Sequence, residues 1–240
     1  MDYAFILAVG LVAGTIGGVV GFGTSLMLMP VLVIVFGPRQ AVPIMAIAAI
    51  MANLSRIVVW WREVDWRPCL AYSATAVPCA GLGARTLLVL PPKLVEIGLG
   101  LFFVSMIAVR RWLAARQRRI GLGTLAALGA PVGFLTGVVA STGPVTAPIF
   151  LATGLVKGAF LSTEAAASLA VYFAKAAVFR SFGALPLAII AKGLIVGSTV
   201  TAGAFLAKRF VLHLDASRFQ LLMDALLGLS GLSLIWAAVI

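Results

Sequence analysis

Long apolar runs alternate with short polar links along the whole chain. Ten hydrophobic segments are set off in this way, at roughly 3 to 20, 24 to 36, 40 to 61, 68 to 90, 93 to 109, 120 to 139, 143 to 155, 159 to 182, 184 to 207 and 217 to 240. One helical crossing of a bilayer needs ~20 predominantly apolar residues. The stretches Tyr3 to Pro38 and Ile120 to Val156 carry no charged side chain and no histidine, so each is long enough for a helical hairpin. The pattern predicts an all-α, polytopic transmembrane bundle.

The pattern also repeats. Gly14, Gly18, Val19 and Val20 recur as Gly133, Gly137, Val138 and Val139 at a constant offset of 119, and Pro30 recurs as Pro148 after one deletion. This divides the chain into a first transmembrane repeat at 1-109, a basic linker at 110-119 and a second repeat at 120-240. With five segments per copy, the second enters the membrane from the opposite face to the first, giving inverted repeats. Each copy opens on a break, Gly21-Phe22-Gly23-Thr24-Ser25 in the first and Ala140-Ser141-Thr142-Gly143-Pro144-Val145-Thr146 in the second. A full-depth hairpin and a re-entrant one both return the chain to its starting side, so the parity argument leaves the two forms open.

Composition agrees with this picture: 62% of the 240 residues are hydrophobic and 10% are charged, and mean hydropathy is +1.16. The formal net charge of +11 does not point to nucleic acid, because the basic residues sit in short links and not on an amphipathic or aromatic-interleaved face. They report topology. Arg110, Arg111, Arg116, Arg118 and Arg119 form the densest basic cluster, which places that loop in the cytoplasm of a multi-pass protein of the cell (inner) membrane. Arg62, Arg67, Lys157, Lys208 and Arg209 fall on the same side, Arg39, Arg85 and Lys93 on the other, and both termini outside. Met1-Asp2 supplies no basic n-region, so the first segment is expected to stay as a helix. Cys69 and Cys79 lie about 15 Å apart along one helix, too far for a disulfide, and are read as packing residues.

Chemistry enters at the breaks. Helical backbone opened inside a membrane must be buried or line a wet cavity, and free amides at a helix start can hold an anion. Gly21, Gly23 and Gly143 are therefore the candidate backbone breaks, with Thr24, Ser25, Ser141 and Thr142 as hydroxyl contacts to a substrate. The competing reading is close helix packing by small residues. Four ionisable residues, Arg56, Glu164, Lys175 and Lys192, also lie inside apolar segments, where they need a partner or a function. Arg56 and Lys175 match at offset 119, which suits two positive charges near a pseudo-symmetry axis and a small anion between them. Asn53 and Tyr172 precede them by three positions, on the same helical face. Snorkelling of the two cations towards an interface is the alternative.

Glu164 precedes Lys175 by eleven residues, about 16 Å along the axis and on the same face. A carboxyl there can carry a proton, or it can neutralise a basic residue of another helix. Lys192, Glu96 and Asp224 are read as structural. No catalytic arrangement is present: His213 is the sole histidine, no phosphate-binding Gly-Lys-Ser/Thr loop occurs, and neither a metal nor a cofactor is expected.

Taken together, the paired glycine-rich breaks, Pro30, the Gly37-Pro38 turn and the link Val64-Asp65-Trp66-Arg67 give a chain that resembles the sulfite exporter TauE/SafE family over its whole length. The second copy departs from the family pattern with Ser141-Thr142-Gly143-Pro144, and with Phe182-Gly183-Ala184-Leu185-Pro186 in place of the Asp-Trp-Arg link. The resemblance implies a secondary transporter for a small sulfur-containing anion, sulfite or an organosulfonate, working in export by alternating access around a midplane site. An anion channel and a non-transporting membrane scaffold subunit are the alternatives. The partners expected are the anion and the lipid bilayer, with a homodimer as one admissible assembly.

Overall fold

The structure is a computed structural model that describes residues 2–20, 23–91, 119–139 and 141–210, with isolated positions at 94, 97, 98, 101, 104 and 105. Apart from those positions, the predicted segments at 93 to 109 and 217 to 240 lie outside the described residues, as do linker residues 110 to 118 and the break residues Gly21, Phe22 and Ala140. Eight α-helices and no strand occur among the described residues. They are α1 (Asp2–Val20), α2 (Thr24–Phe36), α3 (Pro38–Val59), α4 (Trp66–Val89), α5 (Leu122–Val138), α6 (Gly143–Leu151), α7 (Lys157–Ser181) and α8 (Leu187–Phe210), with one 3-10 turn at Trp61–Glu63.

Local chemistry explains the boundaries. Gly23 has φ 114 and Gly37 φ 75, conformations closed to most L-residues, so α2 is bracketed by glycines. The Asp65 side chain accepts from the Arg67 backbone N–H at 3.0 Å and caps α4. Its own N–H donates to Thr163 Oγ1 at 2.9 Å, so the acidic link is tied to the first turns of α7. The arms that follow each break are short, 13 residues in α2 and 9 in α6, against the ~20 of a full crossing. The apolar run expected to 155 ends as helix at Leu151, because Thr153 and Gly154 turn the chain, with Gly154 at φ 94.

The helices pair in a reciprocal pattern. α4 packs on α5 and α1 on α8; α3 packs on α8 and α4 on α7; α3 and α7 lie against each other. Exchanging the first four helices with the last four maps each of these pairings onto another or onto itself. Glycine makes the closest approaches possible. A side chain at Gly14 would run into the backbone of Val200, and one at Gly133 into that of Ala76. These glycines are separated by the repeat offset, and small residues are what let apolar helices approach so closely.

Around an apolar core, large apolar side chains also face outward while three charged residues are buried. Val89, Leu187 and Ile34 are 77%, 75% and 71% exposed, whereas Arg56, Glu164 and Lys175 are 9%, 3% and 0% exposed. Two helical stretches, Arg39–Val59 and Leu187–Leu206, are each long and apolar enough to cross a membrane. An apolar exterior with buried charges is what a lipid solvent requires.

Candidate functional site

Most of the buried polar groups converge on one cavity of about 40 Å³. Since a single water needs about 10–15 Å³ measured in this way, the space fits a few waters or one compact ion. α3 contributes Met45, Ala49, Ala52, Asn53 and Arg56; α7 contributes Glu164, Ser168, Val171 and Tyr172. Spacings of three and four residues place each set on one helical face. The first four residues of α3 pair with the four of α7 at the repeat offset of 119, so the two copies present equivalent faces to the same space.

The two breaks close the cavity. Gly23, Thr24 and Ser25 line it from the start of α2, and Ser141, Thr142, Gly143 and Thr146 from the start of α6. First-turn amides have no intrahelical acceptor and helix starts carry partial positive charge, so two such ends meet here. Thr24 Oγ1 donates to the Ala13 carbonyl at 3.2 Å, and Thr142 Oγ1 shares a hydrogen bond with Thr136 Oγ1. Both contacts tie the arm after the break back to the helix before it. Ser141 Oγ accepts from the Gly143 N–H at 3.2 Å. The Tyr172 phenol meets the hydroxyls of Ser141 and Ser25, bridging the two breaks from α7.

The cavity's charges are paired. Arg56 Nη1 donates to Glu164 Oε2 at 2.9 Å, and Arg56 Nη2 donates to Asn53 Oδ1. Asn53 Nδ2 donates to the Ala49 carbonyl at 2.8 Å, which fixes its oxygen towards the guanidinium. The other carboxylate oxygen, Glu164 Oε1, accepts from Ser168 at 2.7 Å and from Thr146 at 3.2 Å. One cation, one carboxylate and a set of hydroxyls thus form a compact polar cluster inside an apolar bundle.

Of the residues picked from the sequence, Gly23, Thr24, Ser25, Asn53, Arg56, Ser141, Thr142, Gly143, Glu164 and Tyr172 all line this cavity. Lys175 does not. It is fully buried, and its Nζ donates to the carbonyls of Thr136 and Val139 at 2.7 and 2.6 Å, with the Phe179 ring 5.6 Å away. Those carbonyls belong to the C-terminal end of α5, where a cation is electrostatically favoured. Lys175 therefore holds the helix that leads into the second break and does not face the space beside Arg56. Lys192 hydrogen-bonds Gln40 at 3.1 Å and lies over the Phe36 ring, and it does not line this cavity. Gly21 lies outside the described residues.

Four polar lining residues were missed: Tyr72, Thr136, Thr146 and Ser168. Ser168 stands midway between Glu164 and Tyr172 at helical spacing, a readable signal. Thr136 occupies the position matching Gly17, and Gly17 is itself packed against Thr24, so the threonine marks a departure of the second copy from the first. Tyr72 reaches the cavity from α4, against the Phe150 ring at 5.2 Å between centroids, and nothing in its local sequence announces it.

An all-helical bundle with large apolar side chains on its exterior and buried charges around a small polar cavity has the architecture of a membrane protein. The chain belongs to the sulfite exporter TauE/SafE family: the family's model matches residues 6–234, nearly its whole length. Members of this family are membrane transporters and not enzymes. Neither the curated proteins nor the solved structures searched contain a match.

Proposed function

We propose that the chain is a secondary transporter that exports a small sulfur-containing anion, sulfite or an organosulfonate, by alternating access around the cavity between α3 and α7. The observation that carries this reading is the meeting of Arg56, two helix starts and their hydroxyls around one small cavity, to which both copies contribute equivalent faces. A guanidinium and oriented hydroxyls suit the charge and the oxygens of a sulfur oxyanion. The reciprocal helix pairing supports two copies related by an axis through this space, as inverted repeats require. The short α2 and α6 act as re-entrant arms in this reading, and tilting of one copy against the other opens the cavity to either side. The chain sits in the cell (inner) membrane with the arginine-rich linker in the cytoplasm.

Binding tests the proposal first. A ligand that binds only the folded state raises its thermal stability, so purified protein in detergent should be stabilised by sulfite, thiosulfate or a small sulfonate. Reconstituted vesicles should then show saturable flux of the same anion. Absence of both effects for every anion tested would overturn the reading, and a non-saturating conductance would identify a channel instead.

A further inference from the structure

We propose that Glu164 is the proton-binding site of this transporter, and that it works by competing with the transported anion for Arg56. The inference rests on the transport reading given above and adds the coupling ion and its stoichiometry.

Glu164 already occupies an anion's place. Its Oε2 lies 2.9 Å from Arg56 Nη1 on α3, and its Oε1 lies 2.7 Å from Ser168 on α7 and 3.2 Å from Thr146 on α6. A guanidinium and two hydroxyls converging from three helices are the donors an oxyanion would need. The carboxylate is in effect a tethered anion in a space of about 40 Å³. A second anion entering while Glu164 is ionised would put two negative charges against one cation in a low-dielectric interior, where like charges repel strongly. The cluster is therefore balanced in two states, ionised Glu164 with no monoanion bound, or protonated Glu164 with one monoanion on Arg56.

The exchange balances atom by atom. A proton from the water-accessible side adds to a Glu164 carboxylate oxygen, the Arg56–Glu164 ion pair opens, and the anion takes the guanidinium. The new carboxyl O–H donates to a neighbouring hydroxyl, since Ser168 and Thr146 can turn from donor to acceptor. On the far side the anion leaves, the proton leaves, and the ion pair re-forms. Proton and anion thus travel in the same direction, one for one, and the step is electroneutral for a monoanion.

The surroundings leave Glu164 as the group that switches. Arg56 faces it from α3, Tyr72 from α4, and Tyr172 and Lys175 lie on its own helix, while α6 presents the Thr146 hydroxyl. Lys175 is tied to the α5 carbonyls. The position matching Glu164 in the first copy is Met45, which lines the same cavity. The exchange is therefore one-sided, which sets one proton per anion.

The test uses methanesulfonate, a monoanion whose charge does not change between pH 5 and 8, so that any pH dependence belongs to the protein. In calorimetric titrations of the full chain in detergent, affinity should rise as pH falls, by up to about tenfold per pH unit for one linked proton. Glu164→Gln should bind at pH 8 at least about tenfold more tightly than wild type and show no pH dependence. In vesicles carrying an internal pH dye, sulfonate entry through the wild type should acidify the lumen, and entry through Glu164→Gln should not. The wild-type arms stand without the variant. Binding by wild type that is independent of pH, sulfonate flux without proton movement, or pH dependence that persists in Glu164→Gln overturns the exchange. Failure of sulfite and sulfonate to bind at any pH overturns the transport reading as well, which separates the two.

Discussion

α3 and α7 face each other across the cavity at equivalent positions and bring different chemistry to it. Met45 stands opposite in role to Glu164, Ala49 to Ser168, Ala52 to Val171 and Asn53 to Tyr172, each pair separated by the same 119 residues. The next pair diverges in placement as well. Arg56 reaches the cavity and pairs with Glu164, whereas Lys175 turns to the carbonyls ending α5. The packing role of the helix is duplicated and its chemical role is not. Equivalent helix positions with unlike side chains put the cation on α3 and the carboxylate on α7.

The comparison breaks most sharply at the two cations. Arg56→Met leaves Glu164 buried without its partner, a loss of about 3–5 kcal/mol in stability, and removes the charge that holds the anion. Sulfite binding should fall at least about 100-fold, close to 3 kcal/mol. Because the single variant can fail to fold, Arg56→Met with Glu164→Met is the informative companion. Replacing a whole buried ion pair by apolar groups is often neutral or stabilising, so the double variant should recover its thermal stability in detergent and still bind no anion. Recovery of binding would show that Arg56 is only Glu164's counter-ion.

Lys175→Met should do the opposite. It leaves the Thr136 and Val139 carbonyls without a donor, at about 1–3 kcal/mol for each unsatisfied group, while anion affinity of the folded protein stays within about threefold of wild type. Denaturant unfolding in mixed micelles reads the first quantity and calorimetry the second. A folded Lys175→Met protein that has lost binding would restore this lysine to the site.

Matched glycines test the symmetric side of the comparison. Gly14→Val and Gly133→Val place equivalent clashes against the backbones of Val200 and Ala76, and over-packing of this kind costs about 1–3 kcal/mol. The two losses should agree closely if the helix pairings are equivalent. A large inequality, measured by thermal unfolding of the two variants side by side, would show that one copy carries the scaffold alone.

What the sequence discloses follows the same division. The apolar periods and the two breaks give most helices to within a few residues, because in a membrane the solvent itself enforces helix and length. Arg56, Asn53, Tyr172 and Glu164 are legible because an ionisable or polar group inside an apolar segment must be accounted for. Thr136 and Thr146 are not, because hydroxyls are common in apolar helices, where they return a bond to a preceding carbonyl, as Thr136 does to Val132 at 2.7 Å. Tyr72 depends on the packing of α4 against α7, and the orientation of Lys175 on where α5 ends at Val138. Both are facts of tertiary geometry that offset arithmetic does not contain.

The finest probe of the asymmetry is Tyr172, whose counterpart is Asn53. Its phenol joins Ser141 to Ser25 and so couples the break of one copy to the break of the other, while Asn53 accepts from Arg56. Tyr172→Phe keeps the ring's packing and deletes the oxygen. Side-chain hydrogen bonds inside membranes average about 0.6 kcal/mol and reach about 1.7, so losing this bridge should weaken sulfite binding by roughly threefold to eighteenfold and lower thermal stability only slightly. If the bridge also keeps the two breaks moving together, turnover in vesicles should fall further than affinity does, because each half then opens without the other. An equal fall in both would mean that the phenol is a ligand contact alone, and no fall in either would remove it from the site.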